Sequence, residues 1–133
     1  MCQLGQAVVQ QLFETFDHKN LRGLITWLPM LAGDDAEAAR RQSELVQEGR
    51  ITKGWDAERS IGDLFAQTLG LQSTAWDVYL LYPPGVRWDD AEPPQPAFWM
   101  HQLPEALGAD SKLFLDAGRL AGELRRLLEA PEG

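Results

Sequence analysis

Two apolar segments separated by a proline-rich stretch constrain the fold of this chain more than any other feature. Residues 75–82 (AWDVYLLY) and 97–103 (AFWMHQL) are rich in aliphatic and aromatic residues, which is typical of β-strands. Residues 83–96 between them carry five prolines. That stretch is therefore predicted to be a loop, with room for a brief strand at 86–88. The two flanking segments are expected to pair as antiparallel strands.

A third strand is predicted at residues 21–28. The run is nearly continuous in apolar residues after Gly23 and ends at Pro29, as expected for a strand that is covered on both faces. Residues 51–55 are a candidate for a short edge strand.

Four segments carry the apolar spacing of helices. They are residues 4–16, residues 35–47 after the capping pair Asp34 and Glu37, a short helix from Ser60 as its cap to Gly70, and residues 111–129 after the cap Asp110. The expected fold is α/β, with strands 21–28, 75–82 and 97–103 in one mixed sheet. Helices 4–16 and 111–129 are expected to cover the faces of that sheet.

Length and charge restrict the classes of function. A chain of 133 residues is predicted to form a single domain, residues 1–133. Its formal net charge is −8, which disfavours nucleic acids and anionic membranes as partners. The sequence has neither a membrane-spanning apolar run nor a signal-peptide pattern, and a cytoplasmic location is expected.

Cys2 is the one cysteine of the sequence, and it lies just before the first predicted helix. Because a helix N-terminus stabilises a thiolate, Cys2 is the candidate catalytic residue. The competing interpretation is an ordinary cysteine in a frayed terminal turn. A single cysteine excludes an internal disulfide or a cysteine-rich metal site, and neither a metal nor a cofactor is expected.

Two polar residues interrupt the predicted strands. His101 shares a strand face with Trp99 and Leu103, and no second histidine or carboxylate is spaced to join it, so a structural role is favoured over a base or ligand. Asp77 is expected at a sheet edge or in a pair with a residue such as Arg87, because an unpaired buried charge is costly.

Aromatic residues and the proline-rich loop supply the remaining candidates for a site. Core packing is favoured over a ligand site for the five tryptophans: Trp27, Trp55, Trp76, Trp88 and Trp99. The loop at 83–96 is interpreted either as a stiff connection or as a segment that docks a partner in polyproline conformation. The sequence contains no nucleotide-binding glycine loop, nucleophile elbow or zinc motif.

Three stretches, read with the order of elements, resemble thioredoxin-like proteins of a poorly characterised bacterial group. They are LRGLITWLPM at 21–30 followed by GDD at 33–35, AWDVYLLY at 75–82 and PQPAFWMHQL at 94–103. The resemblance implies a three-layer α/β sandwich with a mixed sheet. It also implies that Cys2 matches the second cysteine of the Cys-x-x-Cys turn and that the preceding strand and first cysteine are missing, as in an N-terminally truncated domain. The proline that usually precedes the strand matched by 75–82 is replaced by Ser73-Thr74.

Two functions follow from this resemblance and remain open. The first is thiol-redox chemistry through Cys2, either alone or as the C-terminal part of a dithiol oxidoreductase, with a thiol or disulfide protein as partner. The second is a non-catalytic protein-binding module on the same scaffold, using the loop at 83–96 and nearby tryptophans.

Overall fold

The computed structural model of the chain describes residues 3–30, 35–89 and 91–129 and shows a mixed α/β protein. Its elements are α1 (Gln3–Thr15), β1 (Gly23–Trp27), α2 (Ala36–Glu44), β2 (Ile51–Trp55), α3 (Ser60–Leu69), β3 (Val78–Leu81), β4 (Phe98–His101) and α4 (Ala117–Glu129). Two 3₁₀ turns, Glu105–Leu107 and Ser111–Leu113, precede α4. The chain divides into two compact units, Met1–Gly62 and Asp63–Gly133. None of the helices in the described ranges is long and apolar enough to cross a membrane.

The first unit is built on a parallel strand pair. β1 and β2 run side by side from Gly23↔Ile51 to Trp27↔Trp55, with α2 in the connection between them. Side chains alternate along β1, where Ile25 and Trp27 are buried and Leu24 is exposed. The candidate edge strand at 51–55 is thus confirmed as β2.

Helices α1 and α2 supply the other half of this unit's core. The buried cluster consists of Phe13, Ile25, Trp27, Ala39, Val46 and Ile51. Gly23 allows the close approach of α1, because a Cβ atom there would lie 2.8 Å from Cζ of Phe13. A larger residue at this position would force the Phe13 ring to shift.

Two basic side chains hold the ends of helices in the first unit. Arg50 donates to the carbonyl oxygens of Phe13 and Phe16, at 2.6 and 2.7 Å, and so satisfies carbonyls that the end of α1 leaves unpaired. Lys53 donates to the carbonyls of Ser43 and Val46 around the end of α2. Glu48 fixes the Arg50 guanidinium at 2.5 Å.

The N-terminus of α3 is capped by a residue other than the one expected. The carboxylate of Asp56 accepts hydrogen bonds from the backbone N–H groups of Ser60, Ile61 and Gly62. The expectation that the Ser60 hydroxyl caps this helix is therefore wrong. A buried carboxylate that reaches across the preceding turn satisfies several N–H groups at once, which a single hydroxyl does not.

The second unit contains an antiparallel strand pair, as expected for the two apolar segments. β3 and β4 pair from Val78↔His101 to Leu81↔Phe98. Both strands are shorter than the apolar segments that contain them. β3 starts late because Asp77 adopts a left-handed backbone with a φ of 50°, which interrupts an extended chain.

Two further expectations about this architecture are wrong for the described residues. The strands do not share one sheet: β1 pairs with β2 in a two-stranded parallel sheet, and β3 pairs with β4 in a two-stranded antiparallel sheet. Residues 86–88 do not form a strand.

The last helix begins later than the sequence indicates. Asp110 caps only the 3₁₀ turn Ser111–Leu113. Phe114 then bridges to His101, and the N–H of Leu115 donates to the carbonyl of His101 at 2.7 Å. Because this segment runs extended beside β4, α4 starts only at Ala117. The Asp116 carboxylate accepts a hydrogen bond from the N–H of Arg119 in the first turn of that helix. Leu120 and Leu124 are the buried residues of α4.

Candidate functional site

The connection between β3 and β4, residues 82–97, is the candidate site and is called the β3–β4 loop. Ordinary hairpin loops have roughly 2–5 residues, and much longer connections without secondary structure are usually functional loops or disordered linkers. The packing of this loop decides between those two alternatives.

The base of the loop is fixed to the strands and to α3. The hydroxyl of Tyr82 donates to the carbonyl of Pro94 at 2.8 Å, and partial burial raises the pKa of this tyrosine. Gln95 donates through Nε2 to the carbonyl of Thr68 near the end of α3, also at 2.8 Å. Pro93 is buried. These contacts hold the two ends of the loop in place, so it is not a disordered linker.

The outer part of the loop places apolar side chains in solvent. Trp88 is 44% exposed and Val86 is 42% exposed. The Trp88 ring is nevertheless held in position, because it packs edge-on against Phe65 of α3 with ring centroids 5.8 Å apart. Tryptophan is enriched at protein interfaces because its ring combines a large apolar surface with a polar N–H group.

The residues on either side of this tryptophan in the sequence line a cleft in the same loop. This cavity is open and has a volume of about 390 Å³, within the range of roughly 300–1,000 Å³ typical of small-ligand pockets. Its described lining combines charges with small apolar side chains: Arg87, Asp89, Ala91, Glu92, Pro93 and Pro94. Arg87 and Asp89 form an ion pair with Nε 3.8 Å from Oδ1.

His101 is the most completely buried polar residue of the second unit, and the structure gives it a structural role. Its Nε2 lies 2.7 Å from the carbonyl oxygen of Asp110, and its Nδ1 accepts from the backbone N–H of Leu103 at 3.0 Å. This pairing requires a neutral ring with the proton on Nε2. Since both ring nitrogens are engaged inside the fold, the structural interpretation of His101 is confirmed.

Four of the five tryptophans are buried or half-buried, Trp76 among them, and Trp88 is exposed. Trp27 is buried in the core of the first unit and Trp55 packs against that core. Trp99 packs against the His101 ring with centroids 5.5 Å apart. The expectation of core packing thus describes these three residues, whereas Trp88 departs from it. The sequence carries no signal for this difference, because the partner that holds Trp88 is Phe65 on another element.

The other candidates from the sequence do not join this site. Cys2 lies outside the described residues. Asp77 lies just before β3 rather than within it, and Arg87 forms an ion pair with Asp89. Within residues 3–30, 35–89 and 91–129, no group of three or more histidine, cysteine, aspartate or glutamate side chains is arranged to hold a metal ion.

No family model, curated protein or solved structure matches the chain. The functional argument therefore rests on the geometry of the β3–β4 loop and on the chemistry of its residues.

Proposed function

We propose that this chain is a non-catalytic protein-binding module on a thioredoxin-like scaffold, with the β3–β4 loop as its binding surface. The observation that carries the proposal is the exposed Trp88 ring, held edge-on by Phe65 on a loop whose base is fixed. Large aromatic side chains at the centre of an interface contribute much of its binding energy.

The fixed base of the loop supports binding rather than a merely tolerated insertion. The hydrogen bonds of Tyr82 and Gln95 to backbone carbonyls order the loop before any partner arrives. A surface ordered in advance loses less conformational entropy on association, which favours affinity.

The order of elements supports the thioredoxin-like scaffold. A strand–helix–strand unit (β1, α2, β2) is followed by a helix, an antiparallel strand pair and a closing helix, which is the order expected of that fold. In the resemblance the turn that would carry Cys-x-x-Cys lies at the start of the first helix, where this sequence has Cys2 as its one cysteine, in keeping with a scaffold used for binding.

A protein is the partner that the charge of the chain favours. The formal net charge of −8 repels phosphate backbones and anionic lipids, and we extend the proposal to a cytoplasmic location without a nucleic-acid or membrane partner.

The alternative function is thiol chemistry at Cys2 with a thiol or disulfide protein. Helix α1 begins at Gln3, directly after Cys2 in the sequence, and a helix N-terminus stabilises a thiolate. A dithiol cycle also needs a second thiol to resolve the mixed disulfide, and this sequence has one cysteine.

An insulin-reduction assay separates the two functions. The binding proposal predicts that the chain and Cys2→Ser show the same background rate when dithiothreitol is the reductant. Multiple turnovers by the chain that Cys2→Ser abolishes would assign the thiol function instead.

A peptide array tests the binding function directly. The labelled chain is applied to an array of short random-sequence peptides beside Trp88→Ser and the control Leu45→Ser, which removes another exposed apolar side chain. We expect a set of peptides whose signal drops at least tenfold with Trp88→Ser and is unchanged with Leu45→Ser. Equal binding by all three proteins would contradict the proposal.

A further inference from the structure

We propose that the β3–β4 loop recognises a basic segment of its protein partner, with a lysine or arginine side chain in the cavity and an adjacent apolar residue against Trp88. This inference rests on the proposed binding function and specifies the chemistry of the partner. It is carried by the charges around the cavity, by the exposed aromatic ring in the same loop and by the charge of the whole chain.

The cavity contains a carboxylate that is free to accept a cation. Asp89 and Glu92 contribute carboxylates to its lining and Arg87 contributes a guanidinium group. Arg87 is paired with Asp89. In the described part of the chain the Glu92 carboxylate has neither an ion pair nor a hydrogen bond, and it is the acceptor that an incoming ammonium or guanidinium group would meet.

The existing ion pair can give way to such a cation. The side chains of Arg87 and Asp89 are 80% and 73% exposed, and their closest atoms are 3.8 Å apart. Exposed pairs of this kind contribute little to stability, so Asp89 can exchange Arg87 for a partner's cation at little cost.

The rest of the cavity fits the apolar stem of a long basic side chain. Ala91, Pro93 and Pro94 complete its described lining. Lysine and arginine bury their methylene stems along apolar surface while the charged head meets polar groups. The exposed side chains of Trp88 and Val86, which flank Arg87 in the sequence, offer an apolar contact for the residue next to that side chain.

The net charge of the whole chain also favours a basic partner segment. A formal net charge of −8 steers basic segments toward the surface and repels acidic ones, and this steering weakens as salt screens it. Binding of a basic peptide is therefore expected to weaken as the salt concentration rises.

Isothermal titration with two matched peptides tests the inference. The probe is a short peptide with a leucine between two arginines, and its twin carries glutamates in place of the arginines. The variants are Glu92→Gln and the control Glu105→Gln, which removes the same charge from an exposed position of the same unit. We expect binding of the basic peptide alone, with a Kd raised about tenfold by Glu92→Gln and unchanged by Glu105→Gln.

Three results would overturn the inference. They are binding of the acidic twin as tightly as the basic peptide, equal effects of Glu92→Gln and Glu105→Gln, and a failure of the basic peptide to bind. If array peptides without basic residues still bind in a manner that Trp88→Ser abolishes, the partner chemistry is wrong while the binding function stands. If Trp88→Ser changes no peptide's binding, the binding function itself fails.

Discussion

His101 joins three parts of the second unit through one side chain. It belongs to β4, its Nε2 lies within hydrogen-bond distance of the Asp110 carbonyl, and its Nδ1 accepts from Leu103. The ring also packs against Trp99 and Phe114. Because the imidazole spans these segments in a buried position, it orients the chain that leads toward α4.

Replacing His101 with leucine tests this role. The substitution introduces an apolar side chain of similar size, leaves the buried N–H of Leu103 without its acceptor and removes the imidazole from the carbonyl of Asp110, which keeps its bond from the N–H of Leu113. We expect a loss of about 2 kcal/mol or more in the free energy of unfolding, measured by urea denaturation. His18→Leu, at an exposed histidine, should change it by about 0.5 kcal/mol or less. Equal losses in the two variants would contradict the structural role.

The ion pair between Glu48 and Arg50 is a second stabilising interaction at the scale of residues, and its contribution to the free energy of unfolding depends on pH. Hydrogen bonds from Arg50 lower the pKa of Glu48 from 4.5 to about 2. A carboxyl group whose pKa is lower in the folded state stabilises the fold above its unfolded pKa and loses that contribution as the pH falls through the folded value.

We therefore expect the chain to be more stable than Glu48→Gln at neutral pH, with the difference shrinking from about pH 5 downward and vanishing near pH 2. The measurement is the free energy of unfolding of both proteins across this pH range. Glu37→Gln is the control, since Glu37 is in an exposed pair with Arg41. A stability difference that is independent of pH would show that Glu48 acts only through packing.

The sequence predicts the structural role of His101 but not the groups to which His101 and Arg50 bond. A structural His101 follows from the lack of a second ligand at useful spacing, which is a local property of the sequence. Its acceptor and donor are backbone groups of Asp110 and Leu103, and side-chain patterns carry no information about them. Arg50 likewise bonds to carbonyls of α1 that are distant in the sequence.

Element boundaries depend on such backbone partners, and α3 is the clearest example. The sequence pattern favours Ser60 as the cap because serine is common at that position. In the structure Asp56 reaches three N–H groups of the first turn. The pattern locates the helix correctly and misassigns its cap.

Alanine substitutions distinguish the two caps. Asp56→Ala leaves three N–H groups without their acceptor, and we expect it to lower the free energy of unfolding by about 1–2 kcal/mol. Ser60→Ala removes a hydroxyl that does not cap the helix and should cost about 0.5 kcal/mol or less. Thermal unfolding monitored by circular dichroism measures both. The reverse ranking would restore Ser60 as the cap.

Strand positions follow from apolar patterning, but strand pairing does not. β1, β3 and β4 lie within the predicted segments because aliphatic and aromatic residues dominate there. β2 contains Thr52, Lys53 and Gly54, so its pattern is weak, and yet it is the strand that pairs with β1. Pairing depends on contacts between distant segments, which periodicity within one segment does not encode.

At the scale of the whole molecule, two features define the proposed function: a strongly acidic chain and one fixed loop with an exposed aromatic ring. Composition predicts the first and the prolines of residues 83–96 predict the position of the second. The sequence does not show that Phe65 holds Trp88 or that Tyr82 and Gln95 fix the base of the loop. Those contacts turn a proline-rich connection into a candidate site.

Mapping of the binding surface by nuclear magnetic resonance tests the central claim most directly. The ¹⁵N-labelled chain is titrated with the arginine–leucine–arginine peptide, and amide and tryptophan indole shifts are followed. We predict that the largest shifts fall on residues 83–96 and on the Trp88 indole, with saturation at a common Kd. Shifts that are largest in residues 3–30, with the Trp88 indole unmoved, would contradict the assignment of the β3–β4 loop as the functional surface.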